Sequence, residues 1–218
     1  MFTGITPPSL DIEDYKTTPK GKGQSDVKVL FPSLVFEQKI EGYAGLEDEI
    51  VGYCYGERGR DPEGSIQSNV NGWQSNSDYH LKESTLLEAL SRGLGSIGGF
   101  REGYGLRLLS MWININPTGA FNNPHVHPGC DFGGVLWIKT SPECGKIEFE
   151  NPHYFSHPNV HGYSNEMIEG AELFPAYDFV PRVGELLLFP SYLRHGVHVN
   201  RSEEDRISCS FNAVVEKV

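Results

Sequence analysis

Leu106-Arg107-Leu108-Leu109-Ser110-Met111-Trp112-Ile113-Asn114-Ile115-Asn116 alternates with a period of two. Leu109, Met111, Ile113 and Ile115 fall on one face, and Ser110, Trp112, Asn114 and Asn116 on the other. That is the pattern of a half-buried strand. The apolar face is expected to pack, and the polar face to meet solvent or line a cavity. Downstream, 133–139, 146–150, 185–189 and 206–215 read as further strands, punctuated by Gly145, Gly184 and Gly196. Residues 151–180 break the series and read as a long loop with short elements, a kind of segment that often carries function.

Upstream the period changes. Leu86, Leu87, Leu90, Leu94 and Ile97 recur at helical spacing and predict a helix from about Glu83 to Ile97. Thr85 with Glu88 fits a capping box, and Gly98-Gly99 a stop. Residues 43–55 allow a second, short helix, weakened by Gly42, Gly45 and Gly52. Residues 56–80 read as loop. Residues 27–31 and 34–36 are strand candidates separated by Pro32, and 1–26 is a polar, turn-rich arm. The expected fold is mainly β: an antiparallel, jelly-roll sandwich with supporting N-terminal helices, as one domain over 27–218.

Eighteen Lys+Arg against 29 Asp+Glu give a formal net charge of −11. Such a chain is poorly suited to the phosphate backbone of nucleic acid. No apolar run is long enough for a membrane span, and Met1-Phe2-Thr3-Gly4-Ile5 has no secretory pattern. Cys54, Cys130, Cys144 and Cys209 form no Cys-x-x-Cys pair, so a soluble, cytoplasmic protein with reduced thiols is expected.

The chemistry centres on Asn122-Asn123-Pro124-His125-Val126-His127-Pro128-Gly129-Cys130-Asp131. Pro124 and Pro128 disfavour helix there. Two imidazoles two residues apart on an extended chain share a face, so His125 and His127 can reach one metal ion. His195, after Phe189-Pro190-Ser191, is the third candidate ligand, with His198 as its competitor. Three protein ligands leave open positions, as a catalytic site needs, and imidazole suits iron, zinc, copper or nickel. Asp131 is a possible carboxylate ligand, or a hydrogen-bond acceptor that orients a ligand imidazole. His153, His157 and His161 are weaker candidates near a site, as are the aromatics Trp73, Trp112, Tyr154, Phe155 and Tyr163.

Arg206 opens Arg206-Ile207-Ser208-Cys209-Ser210-Phe211-Asn212. Arg206, Ser208, Ser210 and Asn212 share one face. An Arg beside hydroxyls is a receptor for a carboxylate, because its planar fork donates two parallel hydrogen bonds. A surface Arg paired with Glu203, Glu204 or Asp205 is the bland alternative.

His125-Val126-His127, Gly184-Glu185-Leu186-Leu187-Leu188-Phe189-Pro190-Ser191, His195 and Arg206-Ile207-Ser208-Cys209-Ser210-Phe211-Asn212 come in an order that resembles the iron(II)/2-oxoglutarate-dependent oxygenases. The likeness is to a group of small oxygenases of marine bacteria and phages, and Asn71-Gly72-Trp73-Gln74-Ser75 resembles a further motif of that group. The resemblance covers most of 71–213 and implies a double-stranded β-helix, the cupin-like jelly roll. It implies iron ligation by His125 and His195, with His127 where the superfamily usually has Asp or Glu. It implies that Arg206, helped by Ser208 and with Asn116 nearby, holds the distal carboxylate of 2-oxoglutarate. The implied reaction is conversion of 2-oxoglutarate to succinate with hydroxylation of a C–H bond in a small molecule or protein side chain. Imidazole in place of carboxylate removes a negative charge from the metal. Either three histidines serve, or Asp131 completes the set, or turnover is lost.

Two other readings stand beside this one. Gly119, His125-Val126-His127, Asp131 and Pro181-x-x-Gly184 also fit a cupin-like metalloprotein, a 2-oxoglutarate-independent dioxygenase or an isomerase. That pattern gives Arg206 no role. A non-catalytic metal- or ligand-binding module is the other reading, since a jelly roll alone does not fix function.

Overall fold

The computed structural model describes residues 32–153, 162–170 and 173–217. The expected strand over 27–31 and the arm boundary at 26 lie outside them. The chain divides into two compact units: Met1–Pro32 with Tyr154–Phe174, and Ser33–His153 with Pro175–Val218. In the first, the described residues form a helix, α3 (Asn165–Gly170). All else below concerns the second.

Its elements, in chain order, are β1 (Phe36–Lys39), α1 (Glu47–Arg60), β2 (Asn69–Val70), β3 (Trp73–Gln74), α2 (Thr85–Gly95), β4 (Tyr104–Asn116), β5 (Phe121–His125), β6 (Phe132–Lys139), β7 (Ile147–Glu150), β8 (Ala176–Phe179), β9 (Glu185–Pro190), β10 (His195–Val197) and β11 (Arg206–Lys217). They build two antiparallel sheets, ordered β1-β9-β6-β11-β4-β3 and β2-β5-β10-β7-β8. This is the expected jelly-roll architecture. No helix among the described residues is long and apolar enough to cross a membrane.

The two faces of the larger sheet do different work. Met111, Ile113 and Ile115 of β4, Leu136 and Ile138 of β6, and Cys209 and Phe211 of β11 join Ile50, Cys54, Leu86 and Leu90 of the helices in one core. The predicted stripe of α2 is thus its packing face. Val135, Trp137, Phe149, Leu187 and Phe189 form a second cluster on the inner side. Burying a side chain of this size contributes about 1.5–3 kcal/mol, so the alternation of β4 and β11 fixes which face holds the helices.

Several expectations need correction. α1 runs 14 residues, to Arg60, through Gly52, Gly56 and Gly59. Its buried positions Ile50, Cys54 and Glu57 outweigh the glycines, and the segment read as loop from 56 begins inside this helix. α2 is capped by Ser84, whose side chain accepts from Leu87 N, not by Thr85. Thr85 is the first helical residue, and its hydroxyl donates to Glu49. The 34–36 strand candidate begins only at Phe36 and continues to Lys39.

Candidate metal centre

β5 ends at His125, and the chain continues past Val126 to His127. Backbone bonds stitch this turn to the turn after β9: His127 N donates to Ser191 O (3.0 Å) and Ser191 N to Asp131 O (3.0 Å). From that second turn the chain enters β10, where His195 pairs with His125 on one side and Phe149 on the other. The three imidazoles therefore meet, with their ligand atoms all within 4.8 Å of one another.

Their outer nitrogens decide what the inner ones can do. His125 Nδ1 lies 2.8 Å from Asn123 O, and His195 Nδ1 lies 2.9 Å from Leu193 O. A carbonyl only accepts, so both Nδ1 atoms carry hydrogen. His127 Nδ1 meets Asn212 Oδ1, while Asn212 Nδ2 donates to Ser110 Oγ (3.0 Å). In neutral rings this leaves three Nε2 lone pairs facing a common point. Burial pushes all three histidines down, His195 to about 3, so the neutral form prevails at pH 7. Facing lone pairs repel, yet His125 Nε2 and His127 Nε2 are 3.2 Å apart. Two ligands at right angles on one metal, each bound at about 2.1 Å, would sit about 3 Å apart. The donor set fits a divalent metal, and its outer partners fix ring orientation as metal sites require.

Aromatic rings enclose the centre. Trp112 stacks on His127 (centroids 5.8 Å, 30°), and Phe189 lies edge-on to His195 (4.6 Å, 63°). Gly133 is needed here, since a Cβ would come within 2.9 Å of Phe189 and 3.1 Å of His127 Nδ1.

Arg206 lines the same cavity, of ≈ 840 Å³, as the three histidines. It is 2% exposed. Its Nη1 donates to Cys144 O (2.9 Å) and Gly145 O (3.3 Å), and it forms no ion pair among the described residues. Surface pairing is overturned: Glu204 pairs with Lys139, and Asp205 with Arg58. Burial lowers Arg206 to about 10, which leaves it cationic at neutral pH. A buried cation without a counter-charge is costly unless an anion joins it.

Ser208 lines the cavity, but Asn116 does not. Asn116 is buried behind the wall and donates to Asn122 Oδ1 (3.2 Å). Asp131 stands outside the imidazole cluster, because its Oδ2 accepts from Val215 N (2.8 Å). His198 faces Glu148 (3.4 Å) instead of the centre. His153 is exposed, and His157, His161, Tyr154 and Phe155 lie outside the described residues. Trp73 donates to Asp61 O, Tyr163 is exposed in the other unit, and of these three described aromatics Trp112 lines the cavity. Asn212 had no role assigned from sequence. Its signal was parity with Arg206 and Ser208.

Residues 110–212 match the family described as "Putative 2OG-Fe(II) oxygenase". The stretch runs from within β4 into β11 and contains the three histidines, Arg206 and Asn212. No curated protein matches the chain in sequence. Among solved structures, HygX from Streptomyces hygroscopicus, crystallised with nickel, 2-oxoglutarate and hygromycin B, is 15% identical with a TM-score of 0.55. That match covers 84% of this chain and 82% of HygX. The epimerase SnoN from nogalamycin biosynthesis, in complex with Fe3+, alpha ketoglutarate and nogalamycin RO, is 15% identical with a TM-score of 0.57, covering 85% of this chain and 81% of SnoN. The chain spans about half the length (53%) of an oxidoreductase of the 2OG-Fe(II) oxygenase family from Burkholderia pseudomallei, at 15% identity, 62% coverage of this chain and a TM-score of 0.40. The likeness to HygX and SnoN establishes the fold, and the family match covers residues 110–212, somewhat under half of the chain. The cupin-like alternative is not favoured.

Proposed function

We propose that the chain is an iron(II)- and 2-oxoglutarate-dependent dioxygenase that hydroxylates a small molecule or a protein side chain. In this reading His125, His127 and His195 hold iron, and Arg206 holds the distal carboxylate of 2-oxoglutarate. The observation that carries it is the uncompensated Arg206 cation on the cavity where the three Nε2 atoms converge. A cupin-like metal site gives no reason for that buried charge.

The roles follow from what each side chain can donate. Arg206 offers its remaining N–H groups, and Ser208 a hydroxyl with no partner among the described residues, to an entering carboxylate. Three neutral imidazoles bring no negative charge, so an anionic co-substrate balances the cation they hold. Trp112, Phe149 and Phe189 keep water from the histidines and hold their rings in place. Bound iron and 2-oxoglutarate would supply oxygen activation coupled to decarboxylation of the co-substrate. The acidic surface disfavours a duplex nucleic-acid substrate, and four unpaired thiols suit a cytoplasmic setting.

The test is oxygen-dependent formation of succinate from 2-oxoglutarate by the iron-loaded protein. Wild type is expected to turn over. Arg206→Ala is expected to raise the KM for 2-oxoglutarate by roughly 30-fold or more, given the 2–5 kcal/mol typical of a lost buried charge pair, while keeping its iron. Turnover with an unchanged KM in Arg206→Ala would reject the assignment.

A further inference from the structure

Beyond Arg206 and the histidines, one side of the cavity wall is polar and uncharged. The segments around β2 and β3 supply Ser65, Gln67, Ser68, Gln74, Asn76 and Ser77, which carry only hydroxyls and amides. Among the described residues no Asp, Glu or Lys lines the cavity. Apart from the imidazoles, the only ionisable side chain that lines it among the described residues is Arg206, which the proposed function assigns to the co-substrate.

Gln74 is the informative member. It lies on β3 directly opposite Asn114 of β4. The residue is 6% exposed, and its side-chain amide, with no hydrogen-bond partner among the described residues, opens onto the cavity. Asn114 is 5% exposed, and its Oδ1 is likewise unpartnered. Cross-strand neighbours share a face of the sheet. The Gln74 amide, uncommitted to the protein, is free to bond whatever enters the cavity. An amide presents a donor and an acceptor side by side, which matches adjacent hydroxyls. A cationic ligand would meet no carboxylate among the described lining residues. A second anion would find no cation beyond Arg206 and would enter against a net charge of −11.

We infer, resting on the oxygenase reading, that the substrate is an uncharged, polyhydroxylated small molecule of the neutral-sugar type, seated on the Gln74 wall. Trp112 supplies apolar surface on the same cavity.

The experiment loads the full chain with Ni(II) and 2-oxoglutarate. It then measures binding by calorimetry for ligands that differ chiefly in charge: maltose, methyl glucoside, glucosamine and glucuronate, with an acetylated dipeptide amide as the peptide arm. The neutral sugars are expected to bind at least tenfold more tightly than the other three. Gln74→Leu is expected to weaken them by roughly tenfold. Gln74→Glu is expected to turn the preference toward glucosamine, an outcome that a merely damaged fold would not produce. Tighter binding of a charged sugar or the dipeptide amide, or no binding of either neutral sugar to loaded protein, overturns the inference and leaves the oxygenase reading intact. Failure of Ni(II) and 2-oxoglutarate themselves to bind removes the oxygenase reading, and this inference with it.

Discussion

Asn212 shows how a single amide can govern the site. Its Oδ1 meets His127 Nδ1, and its Nδ2 is anchored on Ser110. Removing such a partner typically lowers metal affinity 10- to 100-fold. Asn212→Ala is therefore expected to weaken Fe(II) binding by about that factor in a competition titration with a chelator. Asn212→Asp keeps an acceptor at the same atom and is expected to restore tight binding. Equal losses in both variants would mean that Asn212 supports only the fold. The histidines and Arg206 were legible as residue types in a pattern, because extended chain places alternate residues together. The role of Asn212 was not, because it depends on how β11 lies against β6, with Asn212 opposite Gly133. Asp131 was misjudged for a related reason. Nothing local says that its carboxylate is spent on the backbone of Val215.

At the scale of elements, long periodic segments were readable and short ones were not. β4, of 13 residues, and β11, of 12, declared themselves by alternation. β10 has three residues, and β2 and β3 have two each. Such strands exist because their neighbours pair with them, so local sequence carries little trace of them. α1 was underestimated because its glycines lower helix propensity. Gly52, Gly56 and Gly59 are exposed, have ordinary helical backbone, and would place a Cβ in open space. Each Gly→Ala change is expected to stabilise the protein by about 0.5–1 kcal/mol in urea unfolding. A loss of stability would mean that this face of α1 packs against something. At α2, Ser84→Ala removes the cap on Leu87 N and is expected to cost about 1 kcal/mol by the same assay. Thr85→Ala, with its hydroxyl off the helix terminus, is expected to cost less.

The whole molecule separates support from chemistry. Helices cover the outer face of the larger sheet, and the inner face, with the second sheet, encloses the cavity. Ligands that bind the folded state alone should therefore stabilise the protein as a whole. At concentrations about 100 times Kd, Ni(II) with 2-oxoglutarate is expected to add about 2.7 kcal/mol. For a chain of this size that is a rise in Tm of roughly 5–10 °C. In Arg206→Ala the 2-oxoglutarate-dependent part of the rise is expected to vanish, while the metal-dependent part remains. The central claim is that three imidazoles and one buried guanidinium hold iron and 2-oxoglutarate in one cavity. Its most direct test is anaerobic titration of the metal-free protein with iron(II), then 2-oxoglutarate, followed by visible absorption. The account predicts a metal-to-ligand charge-transfer band that needs both additions and is lost in His195→Ala and in Arg206→Ala. Iron binding without a band, or a band of full strength in Arg206→Ala, would contradict it.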